Sequence, residues 1–299
     1  MALTMMQRES APHIQNSISR CRAVQTQPLT QRNWAEVERF LTDRPLHTVF
    51  LSSLIRDNGV VSPLNRGTFY GCRNSDGQLV GVALLGHATI FETGNDDCIK
   101  AFAHLAKSCA LTHLIRGEQD KVECFWKHYA RGQHAARLVS RELLLERNTA
   151  PTDFEPVPEL RMATFEDLDL IANTNAAMVV HENGVNPLTK DRKGFYQRVG
   201  RRISQQRIWV LIEEDQLIFK TDIIAETAHA AYLEGVYVAP EKRGQGYGLK
   251  CISQLTHLLL SRTATVCLTV NEKFPRSLAF YQRAGYSIAS SYDTIYLQN

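Results

Sequence analysis

The sequence predicts a protein of the α/β (or α+β) class built from two similar halves. Segments with strand periodicity alternate with segments of helical periodicity, and each half contains a hairpin pattern. A polar, proline-rich stretch separates the halves, as expected of a domain boundary. At 299 residues, 44% apolar and 22% charged, the chain has the size and composition of a two-domain globular protein.

The chain begins with a segment, residues 1–19, that lacks periodicity and is predicted to be a disordered tail. Arginines outnumber acids over residues 1–32, and this bias leaves a transit peptide open as the alternative. The first structured half is predicted at residues 20–147.

The elements of the first half follow from its patterns in order. A strand near Val24 precedes a helix that Asn33 caps and that buries Val37 and Leu41. A hairpin is predicted at residues 68–85 around a polar turn at 75–77. The remaining elements are a strand, a helix, a strand, a helix and a strand, at residues 88–92, 99–111, 114–117, 122–129 and 138–145.

The second half, residues 159–299, repeats this order after a linker at residues 148–158. A strand at 159–163 leads to a helix that Thr164 and Asp167 open in a pattern close to a capping box. A hairpin follows at residues 208–224. We interpret the two halves as a diverged duplication.

A glycine-rich loop after the next strand is the most informative motif. The alternating run at residues 233–238 stops at Pro240, and Arg243-Gly244-Gln245-Gly246-Tyr247-Gly248 follows. An amphipathic helix then starts at Leu249. Such glycines let backbone N–H groups approach a ligand, and the helix N-terminus favours negative charge. The loop therefore predicts an anion site, most simply for a pyrophosphate.

Two common pyrophosphate motifs do not fit this loop. A P-loop would need Gly-Lys-Ser/Thr, whereas Leu249, Lys250 and Cys251 follow Gly248. A dinucleotide fingerprint would need different glycine spacing and an acidic residue near Leu268. On this motif alone, a glycine-rich turn without a ligand stays open.

A second motif lies near the C-terminus. A buried strand at 266–271 precedes a short helix bracketed by Pro275 and Gly285. Together, the loop and this block resemble the acetyl-CoA loop and the closing strand–helix–strand of the GNAT acetyltransferase superfamily. The matching positions in the second block are Asn271, Ser277, Tyr281, Gly285 and Tyr286, whereas Phe274 stands where many members have asparagine.

The resemblance covers almost the whole chain and is strongest from about residue 205 onward. It implies a tandem arrangement, with a degenerate N-terminal GNAT-like domain and an intact C-terminal one. Each domain would be a mixed, mainly antiparallel twisted sheet flanked by helices. In the first half, residues 94–97 replace the glycine loop, and Asp96 and Asp97 would repel a pyrophosphate.

The resemblance also implies roles for single residues. A β-bulge at Gly235 would open a slot in which pantetheine pairs with Val236 and Val238 around Tyr237. The pyrophosphate would bind the N–H groups of Gly244, Gln245, Gly246, Tyr247 and Gly248, beside Arg243. Asn271 and Tyr281 would flank the thioester, with Tyr281 as general acid and Glu234 as general base.

Each of these roles has a structural alternative. Tyr281 also fits a packed aromatic residue, and Glu234 a solvated charge. His181 and Glu182 fit either an acceptor pocket or a polar helix end. The basic run from Lys190 to Arg207 fits an acidic acceptor, the CoA 3′-phosphate or, more simply, the solvated side of a helix that buries Phe195, Val199 and Ile203.

The expected function is therefore an acetyl-CoA-dependent N-acetyltransferase that uses acetyl-CoA as co-substrate and a primary amine as acceptor. The alternative is a catalytically silent CoA-binding or regulatory protein. A net charge of +3 is too small to indicate a nucleic-acid partner, which is therefore not expected. No apolar run is long enough to predict a membrane span, and no histidine pair has the spacing of metal ligands. The seven cysteines are scattered along the chain and odd in number, which predicts reduced thiols in a cytoplasmic protein. The oligomeric state, monomer or homodimer, stays open.

Overall fold

The computed structural model describes residues 24–130 and 135–298, so the predicted N-terminal tail lies outside the described residues. In the first half, the strands are β1 (Gln25–Pro28), β2 (Gly67–Arg73), β3 (Leu79–Gly86), β4 (Ala88–Thr93), β5 (Leu114–Glu118) and β6 (Ala136–Arg147). The helices are α1 (Trp34–Thr42), α2 (Pro45–Asn58), α3 (Asp96–Lys107) and α4 (Gln119–Tyr129).

The second half has the same order of elements. Its strands are β7 (Arg161–Met162), β8 (Ile208–Glu213), β9 (Gln216–Glu226), β10 (Ala230–Val238), β11 (Thr265–Asn271) and β12 (Ser287–Leu297). Its helices are α5 (Leu168–Asn183), α6 (Pro187–Ser204), α7 (Tyr247–Leu260) and α8 (Pro275–Arg283). Both predicted hairpins and the predicted fold class are confirmed.

The halves share one twelve-stranded sheet because each gives its last strand to the other. The order is β1-β2-β3-β4-β5-β12-β6-β11-β10-β9-β8-β7. Strand β12 of the second half pairs with β5 of the first, and β6 of the first half pairs with β11 of the second. The two exchanged strands also pair with each other over most of their length. The predicted first half ends at residue 147 and the predicted second half begins at residue 159. The strands of these two segments alternate at the centre of the sheet.

Two elements differ from the sequence prediction. Helix α2 was not predicted, because its buried positions include Thr48 and Ser53 and so carry little apolar periodicity. Helix α3 ends at Lys107 rather than Leu111, whose side chain is exposed in the turn that follows.

The basic run lies on α6 and after it, and it is not wholly solvated. The apolar side of α6, Phe195, Val199 and Ile203, is buried as predicted. However, Arg207 pairs with Asp57 at 2.5 Å, and Arg202 pairs with Asp222 at 2.7 Å. These cations therefore attach the end of α6 to α2 and β9 rather than facing water.

The prediction that every cysteine is a reduced thiol is wrong for Cys72 and Cys98, which form a disulfide between β2 and α3. Among the described cysteines, Cys109, Cys124, Cys251 and Cys267 are free. A cytoplasmic location, which was argued from reduced thiols, stays a prediction.

Candidate functional site

The glycine loop joins β10 to α7 in a conformation that needs glycine. Gly244 has φ +77° and Gly246 has φ +91°, both in the region that residues with a Cβ disfavour. At Gly248 the limit is space, since a Cβ would lie 2.9 Å from the Val238 side chain. The Arg243 Nε donates to the Val238 carbonyl at 3.0 Å, which holds the start of the loop against the strand.

The start of α7 has no side-chain cap. Gly246 occupies the N-cap position and offers no acceptor to the first N–H groups of the helix. In the first half, the corresponding helix α3 is capped by Asn95, whose side chain accepts from the N–H groups of Asp97 and Cys98. The two helix starts therefore differ, as predicted. In the first half the N–H groups are bonded by the Asn95 side chain, and the carboxylates of Asp96 and Asp97 lie in the same first turn.

The slot predicted beside Gly235 is present. The register of β10 against β9 shifts between Glu234 and Tyr237, which is the predicted bulge, and Gly235 has φ +64°. Strand β10 pairs with the parallel strand β11 only from Ala230 to Leu233. Beyond this point the two strands diverge, so Val236 and Val238 are left without backbone pairing on the β11 side.

A buried polar network supports the bulge from below. Lys220 is fully buried and pairs with Asp222 at 2.8 Å, while Asn175 of α5 bonds to both. A Cβ at Gly235 would lie 2.8 Å from the Lys220 Nζ. The backbone therefore passes directly over the lysine, which explains why glycine stands at the bulge.

The closing block places Asn271 at the end of β11 and Tyr281 in the last turn of α8. Tyr281 is 8% exposed, and its ring packs edge-on against Phe280 and Tyr286 at 4.9 and 5.9 Å. Among the described residues its hydroxyl has no hydrogen-bond partner. The Asn271 side chain is engaged structurally, since it donates to Ser140 of β6 at 2.8 Å and accepts from the Lys273 N–H.

Burial raises the pKa of the Tyr281 hydroxyl, and Tyr286, Tyr232 and Glu182 raise it further. The phenol is thus held in its protonated form near the slot. This is the state that a general acid needs, and it is equally the state of a packed core tyrosine.

Glu234 is exposed on β10 immediately before the bulge. A second carboxylate, Glu182, lies in the last turn of α5. The residues before and after it are both held by contacts with other parts of the protein. The adjacent His181 stacks on Phe274 at 5.7 Å, and Arg137 of β6 donates to the Asn183 carbonyl at 2.7 Å. The polar helix end predicted for His181 and Glu182 is therefore confirmed. Its contacts with Arg137 of β6 and with Phe274 after β11 place it beside the diverging ends of β10 and β11, and the space between them is called the cleft below.

The Glu182 carboxyl is accessible to solvent, yet protein surrounds it at the cleft. The pKa of Glu182 is raised to about 7. Loss of hydration is the largest cause, and repulsion from Glu234 and Glu142 is the next. Lys220 and Arg116 lower it by smaller amounts. Glu182 is therefore a second candidate base, which the sequence pattern did not distinguish from an ordinary helix end.

The first half contributes Arg116 to the same face of the sheet, a residue that sequence reasoning missed. Its Nη2 donates to Glu142 of β6 at 3.0 Å, to the Tyr232 hydroxyl at 2.6 Å and to Thr269 of β11 at 2.7 Å. An arginine in a short strand gives no local signal of this contact. Only the exchange of strands brings it beside β10 and β11.

In the first half, the equivalent slot is filled by an ion network. Strands β4 and β5 pair only from Ala88 to Ile90 and then diverge. Arg44 and Lys121 each contact both Glu92 and Glu118 at these diverging ends, at 2.6–2.8 Å. Although burial acts to raise it, these contacts lower the pKa of Glu118 to about 2. The first half therefore fills its slot with its own side chains.

With this geometry in place, comparison with known proteins gives a consistent assignment. Residues 204–288 match the family model described as acetyltransferase (GNAT) domain. Residues 204–288 are therefore a GNAT acetyltransferase domain, and this match supports GNAT superfamily membership and a function in acyl transfer. A search of curated proteins finds no match.

Solved structures show the same fold over nearly the whole chain. A GNAT-family acetyltransferase from Colwellia psychrerythraea has a TM-score of 0.53 at 14% identity, covering 92% of this chain and 100% of that one. A Drosophila protein has a TM-score of 0.67 at 13% identity, covering 91% and 98%. A tandem GNAT protein from the clavulanic acid biosynthesis pathway has a TM-score of 0.55 at 12% identity, covering 91% and 98%. At these identities the similarity shows the fold alone. This fold, with two similar halves in one chain, is shared with the tandem GNAT protein.

Within residues 24–130 and 135–298, none of the helices has the length and apolar character required to cross a bilayer. The same residues contain no group of three or more His, Cys, Asp or Glu side chains arranged to hold a metal ion.

Proposed function

We propose that the chain is an acetyl-CoA-dependent N-acetyltransferase that transfers the acetyl group to a primary amine by direct attack. The observation that carries this proposal is the uncapped N-terminus of α7 behind the glycine loop, next to the open edge of β10. Both features leave backbone hydrogen-bonding groups available, and among residues 24–130 and 135–298 they are combined only in the second half.

The loop and the strand edge have separate roles in this proposal. The N–H groups of Gly244, Gln245, Gly246, Tyr247 and Gly248 take the pyrophosphate oxygens, with Arg243 as the charged partner. The backbone groups of Val236 and Val238, on either side of Tyr237, pair with the pantetheine arm as an added strand would. The thioester then lies at the divergence of β10 and β11, near Asn271 and Tyr281.

The acceptor must lose a proton before it can attack. An amine with a pKa of about 10.4 is neutral in roughly one molecule in 2,500 at pH 7, which costs about 4.6 kcal/mol. Glu234, or Glu182 beside it, takes this proton. The amine nitrogen then bonds to the thioester carbon, and the carbon–sulfur bond breaks. Tyr281 gives its proton to the departing thiolate and recovers one from the new amide nitrogen, so that the products are an N-acetyl amide and CoA.

The test is calorimetric titration with acetyl-CoA. We expect micromolar binding by the natural chain and none by Gly246→Asp, because the new carboxylate would lie at the pyrophosphate position and a side chain is strained at φ +91°. Gly77→Asp is the matched control. It adds the same charge at φ +79° in the β2–β3 turn, where a Cβ meets nothing within 4 Å. If the natural chain does not bind acetyl-CoA, the proposal is wrong and a silent regulatory protein becomes the better hypothesis.

A further inference from the structure

The cleft between the two halves contains charged groups of both signs beside the proposed acetyl-CoA site. The sheet register and hydrogen bonds place them on one face of the continuous sheet, opposite the end of α5. Seven side chains contribute polar groups: Arg116 and Glu142 from the first half, and Glu182, Tyr232, Glu234, Thr269 and Tyr281 from the second.

The guanidinium of Arg116 is only partly satisfied. All three of its hydrogen bonds use Nη2, and among the described residues Nε and Nη1 have no partner. Its side chain is 24% exposed, so solvent reaches it although protein surrounds it at the bottom of the cleft. The N–H groups of Nε and Nη1 therefore remain available, and each can donate to a carboxylate oxygen.

The opposite charge lies along the same face. Tyr232, which holds Arg116, and Glu234 are two residues apart on β10, and side chains so spaced lie about 7 Å apart on one face of a strand. Glu234 is near enough to raise the pKa of Arg116, against the opposing effect of burial. Glu182 faces both from α5. A carboxylate-binding group and an ammonium-binding group thus lie within the span of one small molecule.

The hydroxyl of Tyr281 is also available to a ligand. Its side chain is only 8% exposed, yet the hydroxyl oxygen stays open to solvent and has no hydrogen-bond partner among the described residues. It is close enough to Tyr232 and Glu182 for both to raise its pKa, in addition to burial and Tyr286. A molecule bound in the cleft can therefore form a hydrogen bond with this hydroxyl.

From this arrangement we infer that the acceptor is a small zwitterion of the amino-acid type, whose carboxylate binds Arg116 of the first half and whose ammonium faces Glu234 and Glu182. The inference rests on the proposed acetyl transfer and adds the class of acceptor. It also gives the first half a direct role, because Arg116 recognises the substrate although its own slot is filled. An amine without a carboxylate would leave the Nε and Nη1 groups of Arg116 without an acceptor, since its pairing with Glu142 uses Nη2.

The experiment compares matched acceptors with the intact chain. Release of the CoA thiol and the mass of the product are measured with each of the common L-amino acids, its carboxamide and its decarboxylated amine. We expect at least one amino acid to be acetylated with a kcat/KM ten or more times that of its amide and amine, since a site built to pair a charged group rejects analogues that lack it.

Variants then assign this preference to Arg116. Arg116→Gln should raise the KM for the amino acid and abolish the preference over the amide, while acetyl-CoA binding stays unchanged. Arg39→Gln, on an exposed face of α1, should leave the preference unchanged. If Arg116→Gln does not fold, Tyr232→Phe removes one of the hydrogen bonds that position the guanidinium and should reduce the preference several-fold.

The results separate this inference from the function on which it rests. If the natural chain binds acetyl-CoA but acetylates amides and simple amines as well as amino acids, or acetylates no amino acid, the zwitterion assignment is overturned and the acetyl-CoA site stands. If acetyl-CoA does not bind at all, both proposals fail.

Discussion

At the scale of single residues, Tyr281 is where packing and catalysis make different predictions. Tyr281→Phe keeps the ring in its contacts with Phe280 and Tyr286 and removes only the hydroxyl that has no described partner. We expect kcat to fall about 10²-fold or more, as for loss of a general acid, while the Kd for acetyl-CoA changes little. Steady-state kinetics and calorimetry on one preparation measure both. An unchanged kcat would leave Tyr281 as a core residue only.

Glu182 allows a prediction about pH and stability. Its pKa in the folded chain is about 7, raised by burial and by Glu234 and Glu142, whereas an unfolded glutamate titrates near 4.3. Between these values the folded chain binds more protons than the unfolded one, so this group makes stability fall as pH rises from about 4.5 to 7. Glu182→Gln should remove that contribution and raise the Tm at pH 8 relative to the natural chain, with little change at pH 4.5.

The measurement is a series of thermal melts across this pH range. Glu159→Gln, at an exposed position in the turn before β7, is the control and should leave the slope as it is. Equal slopes for Glu182→Gln and the natural chain would mean that the carboxyl is solvated and that its position in the cleft has no electrostatic consequence.

Single residues also show how far the sequence could be interpreted. Gly235 and Gly246 were predictable, because a bulge and a tight loop require glycine wherever they occur and the surrounding strand and helix patterns are local. Arg116 and Glu142 were not, because their importance depends on which strands become neighbours. A sequence shows an arginine in a strand but not the partner that the strand meets.

At the scale of elements, the two strand–helix units that could hold a pyrophosphate differ at their helix starts. Helix α3 begins with Asn95 bonded to its N–H groups, and Arg44 and Lys121 bridge the diverging strand ends beside it. Helix α7 begins at Gly246 with no such bond. An anion must displace existing hydrogen bonds in the first unit, whereas in the second it supplies missing ones.

We therefore expect one acetyl-CoA per chain. Titration should give a stoichiometry of one, and Asn95→Ala should leave both this stoichiometry and the Kd unchanged while lowering the free energy of unfolding by about 1 kcal/mol through loss of the cap. A denaturant titration measures the second effect. A stoichiometry of two, or a loss of binding in Asn95→Ala, would contradict the assignment of the site to the second half alone.

Most elements were predicted correctly because their signals are local: alternation in the hairpins, apolar stripes in α3, α4 and α7, and proline at the start of α8. Helix α2 is the exception, and its contacts explain why. Its Val49 lies in one apolar cluster with Ala225 and Tyr232 of the second half, so part of its buried face is determined by the other half of the molecule rather than by its own periodicity.

At the scale of the whole molecule, the exchange of β6 and β12 makes the two halves depend on each other. Strand β6 lies between β11 and β12, and its register with β11 runs from Glu142 to Arg147. Without it, the segment from residue 148 onward would expose unpaired edges on both β11 and β12. The linker is where the chain can be interrupted with least damage, since no described strand crosses residues 148–158.

The resulting prediction concerns a chain divided at this linker. Residues 1–147 and 148–299, produced together as two polypeptides, should associate into a one-to-one complex that binds acetyl-CoA with a Kd close to that of the intact chain. Residues 148–299 produced alone should aggregate or fail to bind, although they contain the whole glycine loop, because β11 lacks its neighbour and the slot between β10 and β11 loses its support. Size-exclusion chromatography with light scattering, followed by calorimetry, measures both results. A monomeric, folded 148–299 that binds acetyl-CoA as well as the intact chain would show that the first half is dispensable to the site, and the continuous sheet would then have no functional consequence.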